Sequence, residues 1–242
     1  MLNKMASFII DLIFPPRCAV CGEVTQIGTE ICESCFGRLK NQLHGSAMCS
    51  RCGKPADSCI CQNISAISEC VSVFKYGDDT RNLMEKLKTD GSDATAKQLA
   101  EMMASRYFSS DLCNISFNCI TYVPSSAERT AAKGFDHAQR LAKQLSLKLN
   151  IPCIAPPIKQ TSDYRAQHTL ARNERFENAD RGYALSDGKA ISGNLLLVDD
   201  IITTGATLDR CAKLLLICGA DKVFCITAAT TVLDNASDNI PC

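Results

Sequence analysis

Two clusters of residues in this chain have the types and spacing for chemistry. The first is the run Leu195-Leu196-Leu197-Val198, which meets Asp199 and Asp200 and continues as Ile201, Ile202, Thr203, Thr204, Gly205, Ala206 and Thr207. The pattern describes a buried strand ending in two carboxylates, then a turn of small, hydroxyl-bearing residues, then a helix that starts at once. Backbone amides at a helix N-terminus, ringed by threonine hydroxyls, form a seat for a phosphate. Gly205 allows close backbone approach. Asp199 and Asp200 cannot hold a phosphate themselves; they suit sugar hydroxyls, or a magnesium ion riding on a polyphosphate. An apolar strand with two terminal acids also describes a Walker B element. That reading needs a Gly-x4-Gly-Lys-Ser/Thr loop, and the nearest string, Gly182 to Gly188-Lys189, has five intervening residues and is followed by Ala190. A bland strand with a polar end leaves the joint occurrence of acids, threonines and glycine unexplained.

The second cluster is thiol. Of 16 cysteines in 242 residues, eight fall between Cys18 and Cys61. They run Cys18-x2-Cys21, ten residues, Cys32-x2-Cys35, then Cys49-x2-Cys52, six residues, Cys59-x-Cys61. Zinc takes four soft ligands in a tetrahedron, and a short Cys-x-x-Cys turn supplies two. The expectation is two structural zinc ions. Sequential closure of each quartet and interleaved closure, first pair with third, both satisfy the spacing. A redox reading of the paired cysteines fits poorly, because none of the four pairs clearly opens a helix beside a strand. Later cysteines such as Cys211, Cys218 and Cys225 read as small buried apolar residues.

The elements around these clusters divide the chain near residue 62. Residues 1–62 are cysteine-rich, broken by prolines and glycines, and short of large apolar side chains, so this segment needs its metal to fold. Residues 63–242 alternate strand-like and helix-like patterns, the mark of an α/β domain with a mostly parallel sheet. Val71 to Tyr76, Cys119 to Val123, Leu195 to Val198 and Val223 to Thr227 read as strands. Leu83 to Leu87, Ala94 to Met103, Ala138 to Leu149 and Leu208 to Leu216 read as helices. Gln160 to Asp187 is polar with weak periodicity, which suggests a long functional loop or a hairpin.

Composition excludes several classes. Hydrophobic residues at 46% and charged residues at 21% are ordinary for a soluble domain. Lys+Arg and Asp+Glu balance at 26 each, so no overall basic field argues for nucleic acid. The apolar run from Phe8 to Phe14 is short, carries Asp11 and lacks a small-residue cleavage site. It reads as an amphipathic helix rather than a signal peptide. No stretch reaches the ~20 apolar residues of a membrane span. The expected setting is a reducing cytoplasm, in which paired cysteines are metal ligands.

The fourteen residues Leu195 to Leu208 resemble the signature of type I phosphoribosyltransferases, enzymes of phosphoribosyl pyrophosphate (PRPP). The resemblance implies that Asp199 and Asp200, the candidate catalytic pair, contact the ribose 2′- and 3′-hydroxyls, and that Thr203 to Thr207 cradle the 5′-phosphate. Phe14-Pro15-Pro16-Arg17-Cys18 with Cys21-Gly22 is similar to the opening of the ComF family. So are Tyr76-Gly77 with Leu87-Lys88, Val123-Pro124, and Arg129 with Lys133-Gly134-Phe135-Asp136-His137-Ala138. In that last segment Lys133, Asp136 and His137 stand where the family usually has Arg, Asn and Gln. Arg165, Gln167, Leu170, Arg172, Asn173 and Phe176 resemble a further family stretch.

By resemblance the chain is a double zinc ribbon on a type I phosphoribosyltransferase fold, with PRPP and magnesium as ligands. Ser125, Ser126, Arg129 and Lys133, after Val123-Pro124, are the candidate pyrophosphate contacts. Arg165 and Arg172 belong to a loop able to close over the site. Three functions follow as expectations: phosphoribosyl transfer to an unidentified acceptor, handling of single-stranded DNA together with competence proteins, or PRPP sensing without turnover. Residues 1–62 give the DNA reading little help, with six Lys and Arg against five Asp and Glu. Stacking platforms are sparse there, only Phe8, Phe14 and Phe36, and the chain has no Trp.

Overall fold

The computed structural model describes residues 15–41, 48–89, 93–161, 182–186 and 190–232. The expected helix from Phe8 to Phe14, and Arg165 and Arg172 in the long polar segment, lie outside them. The strands are β1 (Ile67–Lys75), β2 (Cys119–Tyr122), β3 (Ile158–Gln160), β4 (Tyr183–Leu185), β5 (Asn194–Ile202) and β6 (Lys222–Thr230). The helices are α1 (Glu33–Asn41), α2 (Asp78–Thr89), α3 (Ala94–Phe108), α4 (Ala127–Lys133), α5 (His137–Leu149) and α6 (Ala206–Ile217).

Four strands form one sheet in the order β1-β6-β5-β2, every neighbouring pair parallel. A parallel sheet must be covered on both faces, and alternation along β5 shows how. Leu196 and Val198 join one core with Ile120, Phe224 and Ile226, roofed by Leu83, Met84 and Leu87 of α2, Leu99 and Met103 of α3, and Leu141 and Leu145 of α5. Leu195 and Leu197 point the other way, into a core with Val223, Cys225 and, from α6, Leu208, Cys211, Ala212 and Leu215.

The cysteine-rich segment contributes to both cores. Cys18, Ala19, Val20, Ile31, Cys35 and Leu39 pack into the first. Cys52, Ile60 and Ile64 pack into the second. Arg38 of α1 grips Asp79 of α2 through two bonds, Nε to Oδ2 at 2.8 Å and Nη2 to Oδ1 at 3.1 Å. The arginine holds the Asp79 carboxyl below its usual range. Asn82 Nδ2 donates to the Val20 carbonyl at 2.8 Å.

Two local differences from the sequence expectation have physical causes. β5 does not stop at Val198; it runs through both acids to Ile202, because β6 continues beside it to pair Asp199 with Thr227 and Ile202 with Thr230. The stretch after Pro124 is a short helix rather than an open loop. Ser126 caps it by accepting from the Arg129 amide, and Gly134 ends it in the left-handed region at φ 76°. The ends of the long polar segment, β3 and β4, pair antiparallel, in keeping with the hairpin alternative of the sequence expectation. Among the described residues no helix is long and apolar enough to cross a membrane.

Candidate functional site

The phosphate turn sits at the C-terminal end of the central strand β5. Thr203, exposed, and Thr204, half-buried, lead into Gly205, and α6 starts at Ala206. Gly205 takes φ 78° and ψ −5°, a left-handed conformation that glycine adopts without steric penalty. The Thr204 hydroxyl accepts from the Ala206 amide at 3.4 Å. The Gly205 carbonyl accepts from the Asp209 amide at 2.8 Å and so closes the first helical turn. The first amides of a helix have no acceptor within it, and with the dipole they make this end attractive to an anion.

The two acids are deeply buried beside the turn. Asp199 Oδ1 accepts from the Asp200 amide at 2.9 Å, and Asp200 Oδ1 accepts from the Ile201 amide at 2.8 Å. Asp200 Oδ2 lies 2.6 Å from Lys88 Nζ and 3.7 Å from His137 Nε2. The lysine contact is an ion pair with poor hydrogen-bond alignment, so this buried oxygen has a counter-charge and no hydrogen bond. Burial, with Asp200 alongside, pushes the Asp199 carboxyl well above the usual range. Burial would raise Asp200 as well, but Lys88 and then His137 outweigh it and hold that carboxyl low. Burial pulls His137 below its ordinary value despite Asp200.

The segment after β2 is tied to the same place. Asp136 Oδ2 accepts from the Ser125 amide at 2.7 Å, and Asp136 Oδ1 caps α5 by accepting from Ala138 and Gln139. One carboxylate thus fixes both the start of the Ser125–Lys133 stretch and the helix end that presents His137. The Lys133 ammonium donates to the Lys88 carbonyl at 3.0 Å. Arg129 is exposed on α4 and Ser126 serves as that helix's cap. Of the expected site residues, Asp199, Asp200, the turn, Ser125 and Lys133 therefore converge, directly or through one neighbour.

The eight cysteines form two groups, Cys18 with Cys21, Cys32 and Cys35, and Cys49 with Cys52, Cys59 and Cys61; within each, all sulfurs lie within 4.8 Å of one another. The grouping is sequential, not interleaved. Cys21–Cys32 and Cys52–Cys59 sulfurs are 3.9 and 3.7 Å apart, close to the ~3.8 Å edge of a tetrahedron with Zn–S of about 2.3 Å. Burial pushes the Cys18 and Cys49 thiols up, but surrounding backbone amides outweigh it and bring both to about 7. Burial and the neighbouring sulfurs push Cys35 and Cys61 far up. Four thiolates cannot share such a space without a cation, and the donor set fits zinc.

Sequence reasoning named Lys88 only within the Leu87-Lys88 resemblance and gave it no place in the site, because a lysine in the last turn of a helix ordinarily serves the helix dipole. It also missed the support behind the turn. A Cβ on Gly205 would meet Ile60 Cδ1 at 2.7 Å and Ile64 Cγ2 at 2.9 Å. Asp209 Oδ1 accepts from the amides of Ser65 and Ala66 at 2.6 and 2.8 Å. The buried Lys54 donates to the Thr231 carbonyl, and to its hydroxyl at 3.1 Å. The second cysteine quartet is thus braced against the phosphate turn.

Comparison with known proteins agrees with this organisation. A model of the double zinc ribbon domain matches residues 9–70, and one of the phosphoribosyl transferase domain matches residues 131–240. The chain is 27% identical over 198 residues to competence protein ComFC of Streptococcus pneumoniae, covering 79% of this chain and 82% of that one. It is 26% identical to ComFC of Bacillus subtilis over 77% of this chain and 78% of that protein. It is 25% identical over 213 residues to the DNA utilization protein YhgH of Escherichia coli, covering 85% and 86%. A solved adenine phosphoribosyltransferase aligns at TM-score 0.40 and 13% identity over 82% of this chain and 99% of that one; the fold assignment rests on the sheet and the family models without it. With two cysteine quartets ahead of a parallel sheet that presents an Asp-Asp strand end and a threonine turn, the chain joins a double zinc ribbon domain to a phosphoribosyl transferase domain and is similar over most of its length to the ComFC competence proteins.

Proposed function

We propose that this chain binds PRPP with magnesium at the end of β5 and transfers its phosphoribosyl group to an acceptor. The observation that carries the reading is the juxtaposition of two buried carboxylates with a left-handed Gly205 turn at a helix N-terminus. The 5′-phosphate would take the turn, from Thr203 to Thr207, and the ribose hydroxyls would take Asp199 and Asp200. Magnesium would travel on the pyrophosphate; the described residues offer no separate oxygen cage for it, and Asp200 already has a cation beside it. Breaking the C1–pyrophosphate bond leaves positive charge on the sugar and negative charge on the departing group. The buried acids suit the first, and Lys133 with Arg129 of α4 suit the second. Arg165 and Arg172 keep their proposed role in closing over the ligand.

Calorimetric titration with PRPP and magnesium tests this, on wild type and on Asp199→Asn with Asp200→Asn. Wild type is expected to bind and the double variant to lose at least ten-fold in affinity. Wild type that ignores PRPP rejects the reading. A pyrophosphate-release screen over amines and nucleobases then separates transfer from sensing, since binding with no release under any acceptor favours a sensor. The names of the relatives, competence protein and DNA utilization protein, favour a second reading: a role in handling single-stranded DNA, with PRPP as ligand. Its signature is strand binding that weakens steeply with salt.

A further inference from the structure

Lys88 has a place in the site that the helix dipole does not explain. It reaches Asp200 from the last turn of α2, with Nζ at 2.6 Å from Oδ2. Its own carbonyl accepts from Lys133 Nζ at 3.0 Å, which fastens the end of α2 to the end of α4. The other Asp200 oxygen accepts from the Ile201 amide, and Asp199 Oδ1 accepts from the Asp200 amide. Those two bonds are local, each joining a carboxylate to the amide that follows it in the chain. The Lys88 contact is the exchangeable one, and it is a poorly aligned pair on a buried oxygen. A lysine is suited to exchange: its ammonium is a point charge on a flexible four-carbon stem with three rotatable donors.

We propose that Lys88 is a ligand-contacting, specificity-determining residue that neutralises Asp200 before PRPP binds and moves to the pyrophosphate of PRPP when a ribose hydroxyl takes over the carboxylate. The proposal rests on the PRPP reading above. PRPP carries its 5′-phosphate and its pyrophosphate at opposite ends of the ribose. With the 5′-phosphate in the turn and the hydroxyls on the acids, the other end falls beside the groups that flank Asp200. Those are Lys88, His137 and, behind the Lys88 carbonyl, Lys133. The exchange leaves no group bare, because Asp200 accepts from the hydroxyl and the ammonium gains an anion of higher charge. Without the lysine, a polyphosphate would approach Asp200 with only His137, which burial pulls toward its neutral form, directly beside that carboxylate.

The test compares PRPP–magnesium with ribose 5-phosphate, which has the phosphate and the hydroxyls but no pyrophosphate. Wild type, Lys88→Met and Lys88→Arg of the full chain are titrated with each, and circular dichroism melts establish that each variant is folded. The expected result is a loss of ten-fold or more for PRPP in Lys88→Met, with ribose 5-phosphate binding unchanged or tighter and part of the PRPP affinity restored in Lys88→Arg. Should Lys88→Met fail to fold, Lys88→Gln keeps the stem and a donor without the charge, and the same split is expected. Equal losses for both ligands would make Lys88 a support for Asp200 alone and overturn the proposal. So would wild type that binds ribose 5-phosphate as tightly as PRPP, although the phosphate site itself would stand. Wild type that binds neither ligand overturns both readings.

Discussion

At Gly205, backbone conformation and packing impose the same restriction. The residue sits at φ 78°, and the space a side chain would use is filled by Ile60 and Ile64. Gly205→Ala should cost at least about 1 kcal/mol from the left-handed backbone, with more from displacing the isoleucines. Urea denaturation will measure that cost, and PRPP affinity should fall with it, because the turn and its amides must shift. At this scale the sequence was informative where a site is built from neighbours along the chain. Asp199 to Thr207 could be read directly, as could both cysteine quartets, since a turn that grips a phosphate or half a tetrahedron needs residues a few positions apart. The places of Lys88 and Ile60 in the site could not, because nothing local distinguishes a helix-ending lysine or a lone isoleucine from any other. Only folding brings them to Asp200 and Gly205.

Secondary-structure elements are joined here by single side chains that satisfy backbone groups far away in the sequence. Asp209, in the first turn of α6, accepts from two consecutive amides just before β1, 144 and 143 residues distant. Lys213 neutralises it at 2.9 Å. Asp209→Ala should leave the amides of the exposed Ser65 and the half-buried Ala66 without their acceptor; water can reach the first, so the cost should lie near the low end of the ~1–3 kcal/mol of a stranded amide. The midpoint of chemical denaturation should drop accordingly, whereas Lys213→Ala, which removes only a half-exposed partner, should move it far less. Element types could be read from hydrophobic period, but their limits could not. β1 starts at Ile67, ahead of the expected Val71, and β5 runs past its acids. In both cases pairing with β6 sets the length, and a single strand carries no record of its partner. The helix α4 was invisible because it buries none of its side chains.

For the molecule as a whole, the two cysteine quartets belong to opposite faces of one sheet, the first sharing the core of α2, α3 and α5, the second the core of α6. Metal analysis should return about two zinc per chain. Stripping the metal with a strong chelator should remove the cooperative melt of the entire chain rather than of a detachable N-terminal piece, since each quartet closes one side of the shared interior. A melt that keeps its upper transition unchanged after chelation would contradict this. The same layout bears on how the protein is made. β1 is an edge strand whose one neighbour in the sheet is β6, and the buried hydroxyls of Ser72 and Thr227 that join them are 155 residues apart. On the ribosome, β1 therefore emerges long before β6, its neighbour among the described residues, with its apolar side chains and unpaired backbone open to other nascent chains. The two thiolate clusters, by contrast, are complete once Cys61 has emerged, so zinc supplied during translation should raise the yield of folded chain as well as its final stability.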